Sequence, residues 1–400
     1  MSGVSDTLTE RQRGWFVECP PNGFVERPRL AATNDNRAGI YADDIDPAIE
    51  TTPEHRNLAS GDPRCAGWQR RPDDPHVRAL RAELREHNGI PDLEVCAPHE
   101  VHRAAALFHR DGFVVVRDAL TGDRLAALQE ATIRVVDEIL DVDPVGAAGG
   151  GAGGLPHRYS FGGTSGSRHR LHEQAWVDVI DLPTTTPILT EIFGSDTYIC
   201  GGGGGDVSLP GAIEYQGLHS DNLWAEPHDP VGGLTMRELP ASVVTINFAM
   251  VDLTWENGPI RQIPGSQRWM EAIPNLVDEP RWMRWSTVCP APAGSAIIRD
   301  NRAWHSGTPN LSDHVRALPN VEYYAPWFRS ESVHRCLPFD RWETLSDHGR
   351  RITRYVVAQP GEVVMGAGFT HPRQAERDAF LERQAAEVGV EAAERWWSLR

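Results

Sequence analysis

His219 and Asp221 stand two residues apart at the end of Ile213-Glu214-Tyr215-Gln216-Gly217-Leu218-His219-Ser220-Asp221, which opens with the apolar/polar alternation of a half-buried strand. Residues i and i+2 of a strand point to the same side, so this imidazole and this carboxylate can converge on one metal ion. They make two-thirds of a 2-His-1-carboxylate facial triad, the site type of non-haem Fe(II) oxygenases. Alone, such a pair is more often two chance loop residues.

A second stretch supplies the missing imidazole. Gly294-Ser295-Ala296-Ile297-Ile298-Arg299-Asp300 reads as a turn feeding a strand, and Asn301-Arg302-Ala303-Trp304-His305-Ser306-Gly307 follows it. His305 lies 86 residues after His219, and Arg316 comes 11 residues later. Between the two halves runs Trp255-Glu256-Asn257-Gly258-Pro259-Ile260-Arg261-Gln262-Ile263-Pro264-Gly265-Ser266, and far upstream Asp111-Gly112-Phe113-Val114-Val115-Val116-Arg117 precedes a helical pattern. In these motifs, their order and their separations, the chain resembles the phytanoyl-CoA dioxygenase family of Fe(II)/2-oxoglutarate oxygenases, over roughly residues 99 to 330.

The resemblance implies that His219, Asp221 and His305 hold Fe(II) and form the catalytic centre, with 2-oxoglutarate and O2 as cosubstrates. It places Arg316 on the far carboxylate of 2-oxoglutarate, a role that a planar, permanently charged fork fills best. Thr308 and Asn247 complete the expected cosubstrate contacts, although Ser306, Thr308 and Asn310 are also suited to shaping the turn. Arg158, Tyr159, Arg168, Gln216 and Trp224 are the expected substrate contacts. Asp221 stands where halogenating relatives carry a small residue, so hydroxylation, desaturation or ring closure is expected rather than halogen transfer. Gln267 replaces a histidine common in the family at a position read as structural, and Asn247 replaces an aromatic residue.

The bulk composition narrows the alternatives. Among 400 residues there is no lysine, and all 39 basic side chains are arginine, which excludes Schiff-base chemistry and a Walker-type phosphate loop. Any buried anion anchor must then be an arginine. A formal charge of −17 argues against a nucleic-acid partner. Six cysteines without Cys-x-x-Cys spacing read as free thiols of a reducing cytosol. No apolar leader and no long apolar run appear, so a soluble cytoplasmic protein is expected, and the Ala, Gly, Pro and Arg excess points to a GC-rich bacterial genome.

The elements that must position these residues follow in chain order. Residues 1–98, rich in Pro, Asp, Arg and Asn, read as an extension that wraps the catalytic domain or a partner subunit, with one short helical pattern at 76–87. The catalytic domain is expected over 99–371. It opens with a helix at 99–110, a strand at 113–116 and a helix at 121–140 capped by Thr121. The glycine-rich 145–154 reads as a mobile loop and the best candidate lid. A helix at 187–193 leads to a strand at 197–200 and the run Gly201 to Gly205. Strands at 213–219, 242–251, 259–263, 294–300 and 314–324 then suggest a mainly β domain with flanking helices, an antiparallel double-stranded β-helix, or jelly roll, with the ligands at strand ends. A helix within 372–400 packs on the barrel or on a second copy in a homodimer. The main reading is an Fe(II)/2-oxoglutarate dioxygenase of bacterial specialised metabolism acting on a small molecule. A metal-dependent hydrolase would leave Arg316 without a role, and a metal-free jelly-roll binding protein would make the two histidines ordinary core residues.

Overall fold

A computed structural model describes residues 75–142, 158–162, 169–209, 212–213, 215–221, 235, 237–312, 315–329 and 335–362, with isolated positions beyond 362. The expected lid at 145–154, Arg168, Trp224 and most of residues 1–98 and 372–400 lie outside the described residues. Nine strands carry the architecture among the described residues: β1 Val95–Cys96, β2 Phe113–Val116, β3 Arg158–Gly162, β4 Ile199–Ser208, β5 Val243–Phe248, β6 Arg261–Gln262, β7 Ala296–Asp300, β8 His305–Ser306 and β9 Arg316–Tyr324. Seven form one sheet in the order β1-β2-β7-β5-β9-β4-β3, and β6 pairs with β8 in a second, smaller sheet. All pairings in the large sheet are antiparallel except β1 with β2. The result is a jelly-roll core with helices outside it.

Period-2 alternation separates the two faces of the large sheet. Val114, Val116, Val244, Ile246, Phe248, Ala296, Ile298, Val321 and Tyr323 face one way and join a large apolar cluster. That cluster includes Ala104, Leu107 and Phe108 of α2 (Val101–Asp111), Leu128 and Val135 of α3 (Gly122–Val142), Trp176 of α4 (Gln174–Val177) and Ile188 of α5 (Thr186–Phe193). Thr245, Asn247, Arg299, Asn320 and Glu322 alternate with those apolar residues, yet all five are buried. Both faces are therefore covered, and the polar one is the interior of the barrel.

α1 (Pro75–Glu86) packs Val77, Leu80 and Leu84 against Ile213, Tyr215, Leu276 and Leu311. Its Arg81 pairs with Glu256, and Glu83 accepts a hydrogen bond from Trp285 Nε1 at 2.9 Å. β1, upstream of residue 99, joins the large sheet by pairing with β2.

The glycine run differs from the expectation. Gly201 to Gly205 is the middle of β4, a 10-residue strand, and not a break after a short one. The glycines admit bulky neighbours: a Cβ on Gly203 would sit 2.9 Å from both Leu171 Cδ2 and Trp176 Cδ1. One on Gly205 would sit 2.8 Å from Pro319 Cα of the adjacent strand. The expected strand at 213–219 is not a ladder among the described residues: Gln216 N donates to Gly307 O at 3.1 Å, and His219 and His305 form an isolated bridge. The expected helix at 121–140 is present as α3, and the described residues also include α6 (Arg281–Trp285), α7 (Phe339–Trp342) and α8 (Asp347–Ile352).

Candidate metal centre

Backbone pairing brings the three predicted ligands together. His219 N donates to His305 O at 3.1 Å, and His305 N donates to His219 O at 3.0 Å. Two residues that exchange both bonds lie directly opposite each other with side chains on one face. Their ring centroids are 4.4 Å apart. Asp221, two residues beyond His219, shares that face, and its own N–H is held by Asn301 O at 2.9 Å. Ligand atoms of His219, Asp221 and His305 all lie within 4.8 Å of one another.

Each imidazole is oriented by the backbone behind it. His219 Nδ1 lies 3.0 Å from Gly217 O, and His305 Nδ1 lies 2.9 Å from Ala303 O. A carbonyl can only accept, so Nδ1 carries the proton in both rings and the Nε2 lone pair is free. The Nε2 atoms face the carboxylate, at 3.7 Å for His219 to Asp221 Oδ1 and 3.4 Å for His305 to Asp221 Oδ2. Burial, and then the neighbouring Arg299 cation, hold His305 well below the usual histidine range, so it is neutral. Burial alone would raise the Asp221 carboxyl, but Arg299 and the two imidazoles hold it well below the usual carboxylate range. Two imidazoles that turn Nε2 toward one ionised carboxylate on the same face form a donor set that fits a divalent transition metal.

A buried ion pair ties the histidine-bearing segments to each other. Arg261 of β6 donates to Glu279 Oε1 at 2.7 Å, both side chains being fully buried. The same guanidinium reaches Gln216 O at 2.8 Å and bonds the Ser306 hydroxyl. It therefore holds the approach to His219 and the residue after His305 in one frame.

A cavity of about 160 Å³ opens on the ligand atoms and is lined further by Arg158, Tyr159, Asp206, Gln216, Arg299 and Arg316. Arg316, 3% exposed, starts β9 and donates through Nε to Gly258 O at 2.8 Å. Burial pushes its guanidinium down to about 10, so it remains a cation at neutral pH. Among the described residues its terminal nitrogens donate to no protein acceptor, and they face the cavity.

Residues 108–318, more than half of the chain, match the model of the phytanoyl-CoA dioxygenase (PhyH) family. The chain belongs to the PhyH family. Among curated proteins it is 27% identical over 197 residues to Dioxygenase af480 of Aspergillus fumigatus, covering 48% of this chain and 58% of that protein. It is also 27% identical over 182 residues to Dioxygenase andF of Emericella variicolor, covering 42% of this chain and 56% of that protein. The chain thus spans a little over half the length of these relatives. Among solved structures, the non-heme alpha ketoglutarate dependent epimerase SnoN from nogalamycin biosynthesis superposes with a TM-score of 0.41 at 18% identity, covering 57% of this chain and 81% of that one.

Other residues singled out in the PhyH motifs fall into three groups. Arg158, Tyr159 and Gln216 line the cavity beside the triad. Asn247 and Thr308 do not: the Asn247 carbonyl oxygen accepts from Arg299 Nε at 3.3 Å, and the Thr308 hydroxyl donates to Pro259 O at 2.5 Å. The Thr308 hydroxyl and the Asn247 carbonyl oxygen thus bond protein groups, while Asn247 Nδ2 is buried without a protein partner among the described residues. Gln267 is structural as expected, its amide donating to His109 O at 3.2 Å and Arg110 O at 3.4 Å. Sequence reasoning passed over Asp206 and Arg299. Arg299 left a signal, a cation directly after the apolar Ala296-Ile297-Ile298.

Proposed function

We propose that this PhyH protein is an Fe(II)- and 2-oxoglutarate-dependent dioxygenase that oxidises an unactivated C–H bond of a small molecule. The observation that carries this is the convergence of His219, Asp221 and His305 on the cavity that Arg316 enters from another strand. His219, Asp221 and His305 would hold Fe(II), which with 2-oxoglutarate and O2 would supply the oxidant for the C–H bond, 2-oxoglutarate leaving as succinate and CO2.

The chain's own groups do the rest. Gly217 O and Ala303 O hold both Nδ1 protons, so the imidazoles point their lone pairs at one place. Arg316 binds the far carboxylate of the dianion and orients its keto-acid end toward the triad. Arg158, Tyr159 and Gln216 form the wall against which the substrate lies. The burial of Arg316, Arg158 and Tyr159 excludes bulk water and strengthens each of these polar contacts. Asp221 occupies the position a halide would need, so the product is hydroxylated, desaturated or cyclised, without halogen. A hydrolase using the same ligands gives Arg316 nothing to bind. Succinate release from Fe(II)-loaded protein with 2-oxoglutarate and a panel of bacterial metabolites tests the reading. Substrate-stimulated succinate is the expected result. Hydrolysis products without succinate, or a chlorinated product, would overturn it.

A further inference from the structure

Arg299 is a cation in the middle of a central strand. It stands on β7, paired with Phe113 on one side and Thr245 on the other, and is 3% exposed. A buried charge at such a position is costly unless it is paired and hydrogen-bonded. Its bonds are directed: Nη2 donates to Asp221 Oδ2 at 2.7 Å and Nε to Asn247 Oδ1 at 3.3 Å, while Nη1 lies 3.4 Å from His305 Nδ1. His305 Nδ1 already gives its proton to Ala303 O, so Arg299 meets the triad chiefly through the carboxylate.

Two consequences follow from this placement. First, an oxygen that accepts from a guanidinium pinned on a neighbouring strand does not rotate freely. Asp221 is therefore restrained from chelating a metal through both oxygens, which would consume a position needed by the cosubstrate. Second, the Arg299 guanidinium, 2.7 Å from Asp221 Oδ2, offsets the charge of that carboxylate. A divalent ion here presents its full double charge to an incoming dianion, where a bare carboxylate would leave it a single net charge. Coulomb attraction within a few ångströms in a buried site makes that difference large.

We propose that Arg299 is a positioning residue that weakens metal binding and strengthens binding of the anionic cosubstrate by engaging Asp221. This rests on the assignment of the triad as the metal site, so the test separates the two ideas. Mn(II) is titrated into metal-free protein, and 2-oxoglutarate is then titrated calorimetrically into the Mn(II)-loaded form. One Mn(II) per chain, lost in His305→Ala, supports the triad. Binding that survives that substitution would remove the assignment itself. Arg299→Gln keeps a donor for Asp221 and removes the charge. It is expected to bind Mn(II) at least about tenfold more tightly and 2-oxoglutarate at least about tenfold more weakly, with Arg299→Lys returning both toward the wild type. A merely structural role would weaken both together. Parallel losses, or no change in either affinity, in a variant whose circular dichroism matches the wild type would overturn the proposal. If Arg299→Gln does not fold, Asn247→Ala, which frees the guanidinium from its pin, is expected to shift the two affinities in the same opposed directions by a smaller factor, and parallel changes there would count against it equally.

Discussion

Arg316 is the residue whose role separates an oxygenase from other uses of the same three ligands. Its only protein acceptor among the described residues is Gly258 O, at Nε, which leaves the planar end of the fork for a ligand carboxylate. Arg316→Ala is expected to raise the dissociation constant for 2-oxoglutarate by a factor of about 30 or more, the equivalent of roughly 2–5 kcal/mol for losing one side of a buried charge pair. Mn(II) affinity should change little, and Arg316→Lys should recover part of the loss because a point charge cannot reproduce the fork. Calorimetric titration reads both constants, and unchanged cosubstrate affinity in Arg316→Ala would transfer the role to Arg158. His219, Asp221, His305 and Arg316 were all legible in the sequence because their types are rare together and their order is that of a family motif. The partners of Thr308 and Asn247 were not legible, because a hydroxyl or amide near a site can turn to the backbone, as Thr308 does to Pro259 O, or to another side chain, as Asn247 does to Arg299.

Arg261 of β6 pairs with the buried Glu279, which Arg284 Nε also approaches at 3.4 Å. Breaking a fully buried pair by removing one partner leaves an uncompensated charge and costs roughly 3–5 kcal/mol, whereas an exposed pair is worth under about 1 kcal/mol. Arg261→Leu should therefore lower the denaturation midpoint strongly and Arg117→Ala, whose partner Asp118 is exposed, hardly at all. Urea unfolding of both variants checks this, and equal midpoints would show that Arg261 is dispensable to the layer. The strands of the large sheet were readable from short β-rich runs between turn residues, with alternation clear in Val244–Phe248 and in Asn320–Tyr323 and absent from Ala296–Asp300. Alternation could not show that the polar face is interior, because a solvated face and a polar barrel lining carry the same pattern. β4 escaped for a different reason: its glycines carry a low strand propensity, and they stand there because Leu171, Trp176 and Phe161 occupy the space of their side chains. The segment 213–218 was misread in the opposite sense, its alternation reflecting the cover given by α1 and not a ladder.

Across the whole molecule, the interior carries its own pH dependence. Glu322 lies on the barrel lining, and burial, with Asp221 next in importance, pushes its carboxyl up to about 7. An unfolded glutamate titrates near 4.3. With the folded value raised, the contribution to stability is fully present below about 4.3 and is lost as pH rises through about 7. Glu322→Gln should therefore be more stable than the wild type at pH 8, by up to roughly 4 kcal/mol, and indistinguishable from it near pH 4. Chemical denaturation of chelator-treated protein at both pH values measures the difference free of metal linkage. A gain of equal size at both values would assign the effect to packing. The formal charge of −17 resides on the same molecule as an arginine-lined cavity, so a dianionic cosubstrate is drawn by the site and not by the surface. Among the described residues no helix is long and apolar enough to cross a membrane.

Crystals grown without oxygen in Fe(II) and 2-oxoglutarate, measured at the iron absorption edge, test the central claim most directly. One anomalous peak per chain is expected, with His219 Nε2, His305 Nε2 and one Asp221 oxygen about 2.0–2.2 Å away, the range for nitrogen and oxygen ligands of comparable metals. The far carboxylate of 2-oxoglutarate should lie on Arg316. A peak away from these three residues, or a cosubstrate carboxylate paired with a different arginine, would contradict it.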